Sequence, residues 1–159
     1  MVIATLRSLF SGSPKREAQD VYIALVQQSR KPFFYTECEV PDTLDGRFEI
    51  ILLHAFLRLH LLKSQGGQED LSRRVLECLF DDMDRNLREM GVGDMGVGKR
   101  VKVMSRAAFG RLEVYTQTFA DDAAMKEALK RNVYRGADVR PESVTKLLDY
   151  VHEYQACGA

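Results

Sequence analysis

The segment FEIILLHAFLRLHLL, residues 48–62, limits the possible folds more than any other stretch. As a helix it is apolar on nearly every side. Such a helix either spans a membrane or lies in the middle of a core. Spanning takes about 20 predominantly apolar residues. This run has 15 and contains Glu49, His54, Arg58 and His60. It therefore reads as the central helix of a bundle, over about 43–65. Asp42-Thr43 offers its cap and Gly66-Gly67 its stop.

The rest of the chain supplies helices to surround it. Ser13-Pro14 is an N-cap followed by proline at the first helical position. A helix is expected from there to about Arg30, with Val21, Tyr22, Leu25 and Val26 inward. Pro32 and Pro41 bracket an irregular link. Leu71, Val75, Leu76, Leu79, Phe80, Met83, Leu87 and Met90 form one apolar stripe at helical spacing. Val97, Val101, Met104, Ala108, Leu112, Tyr115 and Phe119 form another. Asp121-Asp122 can cap a short helix that stops near Gly136. Pro141 opens the last helix, with Val144, Leu147, Leu148 and Val151 inward. No segment alternates as a strand does, so the chain reads as an all-α, single-domain bundle. Its expected organisation is an N-terminal amphipathic segment at 1–12, carrying Ile3, Leu6, Leu9 and Phe10, and one helical domain over 13–156. That first segment packs on the domain or lies on a membrane surface.

Between the two stripes lies GVGDMGVGKR, residues 91–100. Gly91, Gly93 and Gly96 fit G-x-G-x-x-G, and Gly93, Gly98 and Lys99 fit the front of a P-loop. Both patterns need a strand before the glycines. Here an amphipathic helix precedes them, and Arg100 stands where a P-loop has Ser or Thr. The glycines read instead as a helix–turn–helix corner at 91–98. Gly91 sits at the left-handed position after a helix, and Asp94 sits where the next helix needs an N-cap. Gly96 and Gly98 each cost about 1 kcal/mol inside a helix, so they serve a close approach by backbone or by a partner.

Charge is balanced over the 159 residues, with 23 Lys plus Arg against 23 Asp plus Glu. Any electrostatic partner must therefore meet a local patch. Lys99, Arg100, Lys102, Arg106 and Arg111 form the one strongly basic segment, with no acid between them. Lys99, Lys102 and Arg106 fall opposite the apolar stripe, with Phe109 and Gly110 beside them. This face reads either as a binding surface or as a solvated face with one aromatic. The aspartates of FDDMD, Asp81, Asp82 and Asp84, suggest a metal cluster. Yet Asp81–Arg85, Asp84–Arg88, Glu69–Arg73 and Asp70–Arg74 follow the acid-then-base spacing of an exposed ion-paired helix. No second aspartate cluster completes a metal cage. Cys38, Cys78 and Cys157 are scattered and odd in number, as free thiols are. His54, His60 and His152 form no metal motif, and Glu49 is placed to pair with a histidine. No catalytic group, cofactor or metal site is read from these residues.

DTLDGRFEIILLHAFLRL, then LFDDMDRNLREMGVGDMGVGKRVKVM, then FGR, resemble the ubiquinol–cytochrome c chaperone family. The likeness runs from about Arg16 to Tyr115. Members tend to carry Phe-Tyr-Gly-Arg where this chain has Ala108-Phe109-Gly110-Arg111, one aromatic fewer. The resemblance implies a helical, non-enzymatic assembly factor of the cytochrome bc1 complex that binds newly made cytochrome b. It also implies work near the ribosomal exit tunnel and a small second assembly factor. No mitochondrial presequence precedes the domain, so a bacterial member at the cytoplasmic side of the inner membrane is expected. Lys99, Lys102, Arg106 and Phe109 are expected to form the client or ribosome contact, with Arg111 at its edge and Asp94 at the corner. Two competing readings remain. One is a helical enzyme using Asp81, Asp82 and Asp84 on a phosphorylated or isoprenoid-like substrate. The other is a basic RNA-binding module. A shallow apolar groove near 91–111 favours the chaperone; a pocket facing the aspartates favours the enzyme.

Overall fold

Most helices of this chain begin where a proline or a capping oxygen is at hand. In the computed structural model, which describes residues 13–157, Pro14–Ser29 forms α1. The Ser13 hydroxyl accepts from the Arg16 amide at 3.4 Å. A single turn, α2 (Phe33–Thr36), lies inside the link expected to be irregular. Then come α3 (Leu44–Gln65), α4 (Glu69–Glu89), α5 (Asp94–Thr118), α6 (Asp122–Val133) and α7 (Pro141–Cys157). No strand occurs among the described residues. The amphipathic segment expected over 1–12 lies outside them.

α3 packs against α1, α4, α5, α6 and α7. Its buried side chains include Ile50, Leu52, Leu53, Phe56, Leu57, Leu61 and Leu62. The Thr43 hydroxyl caps it, accepting from the Gly46 amide at 3.1 Å. Gly46 has a second role, because a Cβ there would lie 1.9 Å from the Pro41 carbonyl oxygen. The link can fold back over the start of α3 only if position 46 is glycine.

Two apolar clusters lie on either side of α3. One joins α1, α4 and the middle of α5 through Ala18, Tyr22, Leu25, Val75, Leu79, Met83 and Ala108. The other joins the link, the end of α5, α6 and α7 through Phe34, Tyr115, Met125, Leu129, Tyr134, Leu147 and Val151. The Asp121 carboxylate caps α6, accepting from the amides of Ala123 and Ala124 at 3.0 and 3.1 Å.

The second cluster contains a buried histidine. Nδ1 of His54 lies 2.8 Å from the Ile50 carbonyl oxygen, and Nε2 lies 2.7 Å from the Tyr150 hydroxyl. A carbonyl can only accept, so Nδ1 carries the proton and Nε2 accepts from Tyr150. The ring is neutral, because burial lowers its pKa to about 4.

Candidate functional site

α4 ends at Glu89, and the chain turns through Met90–Gly93 before α5 begins. Gly91 holds φ = 81°, the left-handed value its position in the sequence required. The Val92 amide closes the turn by donating to the Leu87 carbonyl at 3.1 Å. Because a helix precedes Gly91, neither phosphate-loop pattern has its supporting strand. The expected corner at 91–98 is narrower than the glycine spacing suggested, since α5 is already helical from residue 94. Gly93 is the N-cap, and Asp94 is the first helical residue. The Asp94 carboxylate meets Arg88 instead of capping the helix. Among the described residues nothing beyond the helix's own backbone and the chain neighbours lies within 4 Å of a Cβ added at Gly98 or Gly110.

The outward face of α5 is basic and exposed. Lys99, Arg100, Lys102 and Arg106 all face solvent. Among the described residues none of them takes part in an ion pair. Phe109 is 52% exposed and rests against Phe80 of α4, ring centroids 5.4 Å apart. Met95 and Val103 are exposed on the same helix. Sequence reasoning passed over these two, since lone apolar residues off a stripe carry no signal until the helix is placed.

Arg111 does not belong to this face. It grips the buried carboxylate of Glu49, with Nη2 at 3.0 Å and Nε at 3.1 and 3.2 Å. Arg135 adds Nη2 at 3.4 Å. Glu49, expected to pair with a histidine, is thus held by two arginines. The reason is geometric: Glu49 points toward α5 and the end of α6, whereas His54 points toward α7. Ala108, where the resemblance leads one to expect an aromatic, is fully buried. The missing ring is therefore a difference in packing under α5, not in its exposed face.

Beside the corner runs a groove of about 850 Å³. Tyr22 and Ser29 of α1, Tyr35 of α2, and Leu44, Phe48 and Ile51 of α3 form one side. Met83 and Leu87 of α4, Met90 of the turn and Met104 of α5 form the other. Leu44 and Met90 are exposed at its rim, where Arg30, Asp42, Arg47 and Glu89 supply charges of both signs. Methionine suits such a surface because its unbranched side chain adapts to different partners.

The three aspartates do not converge. Asp82 accepts the Tyr22 hydroxyl at 2.7 Å and lies on the groove wall. Its nearest arginine is Arg85 at 3.6 Å, the partner expected for Asp81. Asp84 pairs with Arg88 at 2.7 Å, and Asp70 with Arg74 at 2.7 Å, as their spacing predicted. Arg73 turns to Asp70 and Glu77 rather than to Glu69. Among the described residues no group of three His, Cys, Asp or Glu side chains is placed to hold a metal. All three cysteines are free, and burial pushes the Cys38 thiol up to about 12, far from a reactive thiolate.

The family model for ubiquinol-cytochrome C chaperones matches residues 36–157, which include both walls of the corner. The chain belongs to this family. It is similar to ubiquinol-cytochrome c reductase complex assembly factor 1 of Mus musculus and of Homo sapiens, 25% identical to each over 141 residues, or 87% of this chain. It spans about half the length of those two relatives, 48% and 47%. The crystal structure of the Cbp3 homolog from Brucella abortus superposes with a TM-score of 0.80 at 33% identity, over 99% of this chain and 88% of that one. The ubiquinol-cytochrome C chaperone family is one of chaperones rather than enzymes. Among the described residues no helix is long and apolar enough to cross a membrane.

Proposed function

We propose that this chain is an assembly factor of the cytochrome bc1 complex that binds newly made cytochrome b. The observation that carries this reading is the open, methionine-walled groove at the α4–α5 corner. A chaperone for a membrane protein needs an apolar surface that accepts a hydrophobic segment and releases it. A groove with exposed apolar lips and a polar rim suits that task. Met90 and Met104 let one surface fit segments of different shape. The outer face of α5, with Lys99, Lys102, Arg106 and Phe109, is the second contact of the same assembly site. The relatives' names carry the link to ubiquinol-cytochrome c reductase assembly. The likeness to a homolog from the bacterium Brucella abortus supports a bacterial setting, and we propose that the protein works at the cytoplasmic side of the inner membrane.

The test is affinity capture from a lysate containing membranes. The wild-type chain should recover cytochrome b. A groove variant, Leu44→Glu with Met90→Asp, should lose most of that recovery. Leu44 is 72% and Met90 56% exposed, so the fold should tolerate both changes. Position 44 is also the first residue of α3, where an acid is favoured by the helix dipole. Equal capture by both proteins removes the groove from the reading. Recovery of a metabolic pathway without bc1 components overturns the assignment.

A further inference from the structure

We propose that the outer face of α5 docks on an anionic lipid bilayer, its cations on the headgroup phosphates and its exposed apolar side chains among the upper acyl carbons. The inference rests on the reading of this face as a contact surface of the assembly factor, and it names the partner.

Three observations converge on one helix face. The first is charge. From Met95 to Leu112 the sequence has no acid, and among the described residues Lys99, Arg100, Lys102 and Arg106 form no ion pair across helices. On the neighbouring α4, by contrast, Arg73, Arg74, Arg85 and Arg88 all have carboxylate partners within 4 Å. The acids nearest the cationic stretch in sequence mark its two ends. Asp94 is occupied by Arg88, and Glu113 accepts from Gln117. The second is exposed hydrocarbon. Six large hydrophobic residues are exposed among the described residues, and three of them, Met95, Val103 and Phe109, are on α5. Met95 is 94% exposed and Val103 60%.

The third is arrangement. At 3.6 residues per turn, Met95, Lys99, Lys102 and Arg106 share an arc of about 60°, with Val103 and Phe109 flanking it. The strip from Met95 to Phe109 runs for about 21 Å along the helix. A bilayer surface is the partner that offers anionic groups and hydrocarbon side by side over such a length. RNA fits less well. Base stacking wants a free aromatic face, and the one exposed aromatic here, Phe109, leans on Phe80. An acidic peptide would match the cations but leave Met95 and Val103 with no partner.

The experiment is co-sedimentation of the full chain with phosphatidylcholine vesicles, with and without phosphatidylglycerol. The wild-type protein should bind only the anionic vesicles, and added salt should weaken the binding. Lys102→Glu with Arg106→Glu should lower the affinity by more than about tenfold. Phe109→Ser should weaken it less and leave the salt dependence intact. Circular dichroism checks the fold, and Lys99→Gln with Arg106→Gln provides a milder neutralisation that asks the same question. Absence of wild-type binding to the anionic vesicles overturns the proposal, as does unchanged binding by the charge variants. Binding to an RNA oligonucleotide or to poly-glutamate in place of the vesicles also overturns it. Capture of cytochrome b in detergent, with no bilayer present, reads the groove separately. Capture that persists while vesicle binding fails sinks the lipid assignment and leaves the chaperone reading standing.

Discussion

Arg106 and Arg111 are on the same helix and in opposite surroundings. Arg106 is exposed and meets no acid among the described residues. Arg111 lies largely under the surface, with two nitrogens on Glu49, a carboxylate only 1% exposed. The first half of α5 puts its charges into solvent over a thin apolar stripe. The second half carries Ala108 and Tyr115 into the core and closes a charge clamp between α3, α5 and Arg135 in the turn after α6. One type of side chain is thus left in solvent in one half and holds the core together in the other. The distinction follows from what each guanidinium would lose. A solvated charge gives up little when its neighbours change, whereas a buried partner cannot be left alone cheaply.

Removing Arg111 tests that contrast most severely. Arg111→Ala leaves Glu49 buried with Arg135 alone, 3.4 Å away. Loss of one partner from a buried pair costs about 3–5 kcal/mol, and the remaining arginine sets the expected value near the lower end. Urea unfolding of both proteins measures it. A loss below about 1 kcal/mol, the range of exposed ion pairs, would erase the distinction between the two halves.

Acid tests the buried side of the comparison. His54, in the cluster with Phe34 and Tyr150, has its pKa lowered by burial to about 4. Unfolded, it titrates at about 6.5. Between these values the unfolded chain binds the proton and the folded chain does not, so stability falls as the pH drops from about 6.5 toward 4. Each pKa unit is worth 1.36 kcal/mol, so this histidine accounts for roughly 3 kcal/mol across the window. His54→Gln should flatten that part of the stability–pH curve relative to wild type. Parallel curves for the two proteins would mean that His54 is not the group that couples the core to acid.

The elements were legible in the sequence because their signals are local. Ser13-Pro14, Thr43, Gly91 and Asp121 act within a few residues, and each marks a helix end. Asp94 misled because a carboxylate near a helix start can cap it or pair with a side chain from the previous helix. Only the placement of Arg88 decides between them. The site was half legible. Lys99, Lys102, Arg106 and Phe109 follow from counting around one helix. Arg111 counts as part of the same basic run, and only the position of Glu49 removes it. The groove was not legible at all. Its walls come from α1, α2, α3, α4, α5 and the turn between the last two, and no single segment announces it. Gly46 was missed for a similar reason, since its contact with Pro41 is a property of the folded link.

The smallest expected effect carries the finest distinction. Lys102 and Arg106 are a like-charge pair at positions i and i+4, an arrangement that destabilises a helix slightly. Lys102→Glu turns it into an acid followed by a base, the favoured order at that spacing, and adds an attraction to Lys99 one turn earlier. Position 102 is too far from either end of α5 for the helix dipole to matter. The single change should therefore raise stability by about 0.2–0.5 kcal/mol. The same change should weaken the α5 contact with its partner, because it places a repulsive charge in the middle of the cationic strip. Stability and binding move in opposite directions, as expected where charges are kept for recognition at a cost to the fold. The checks are the midpoint of urea unfolding and binding to phosphatidylglycerol vesicles, each against wild type. A destabilisation above about 1 kcal/mol, larger than exposed surface changes produce, would show that Lys102 supports the fold and place it with Arg111.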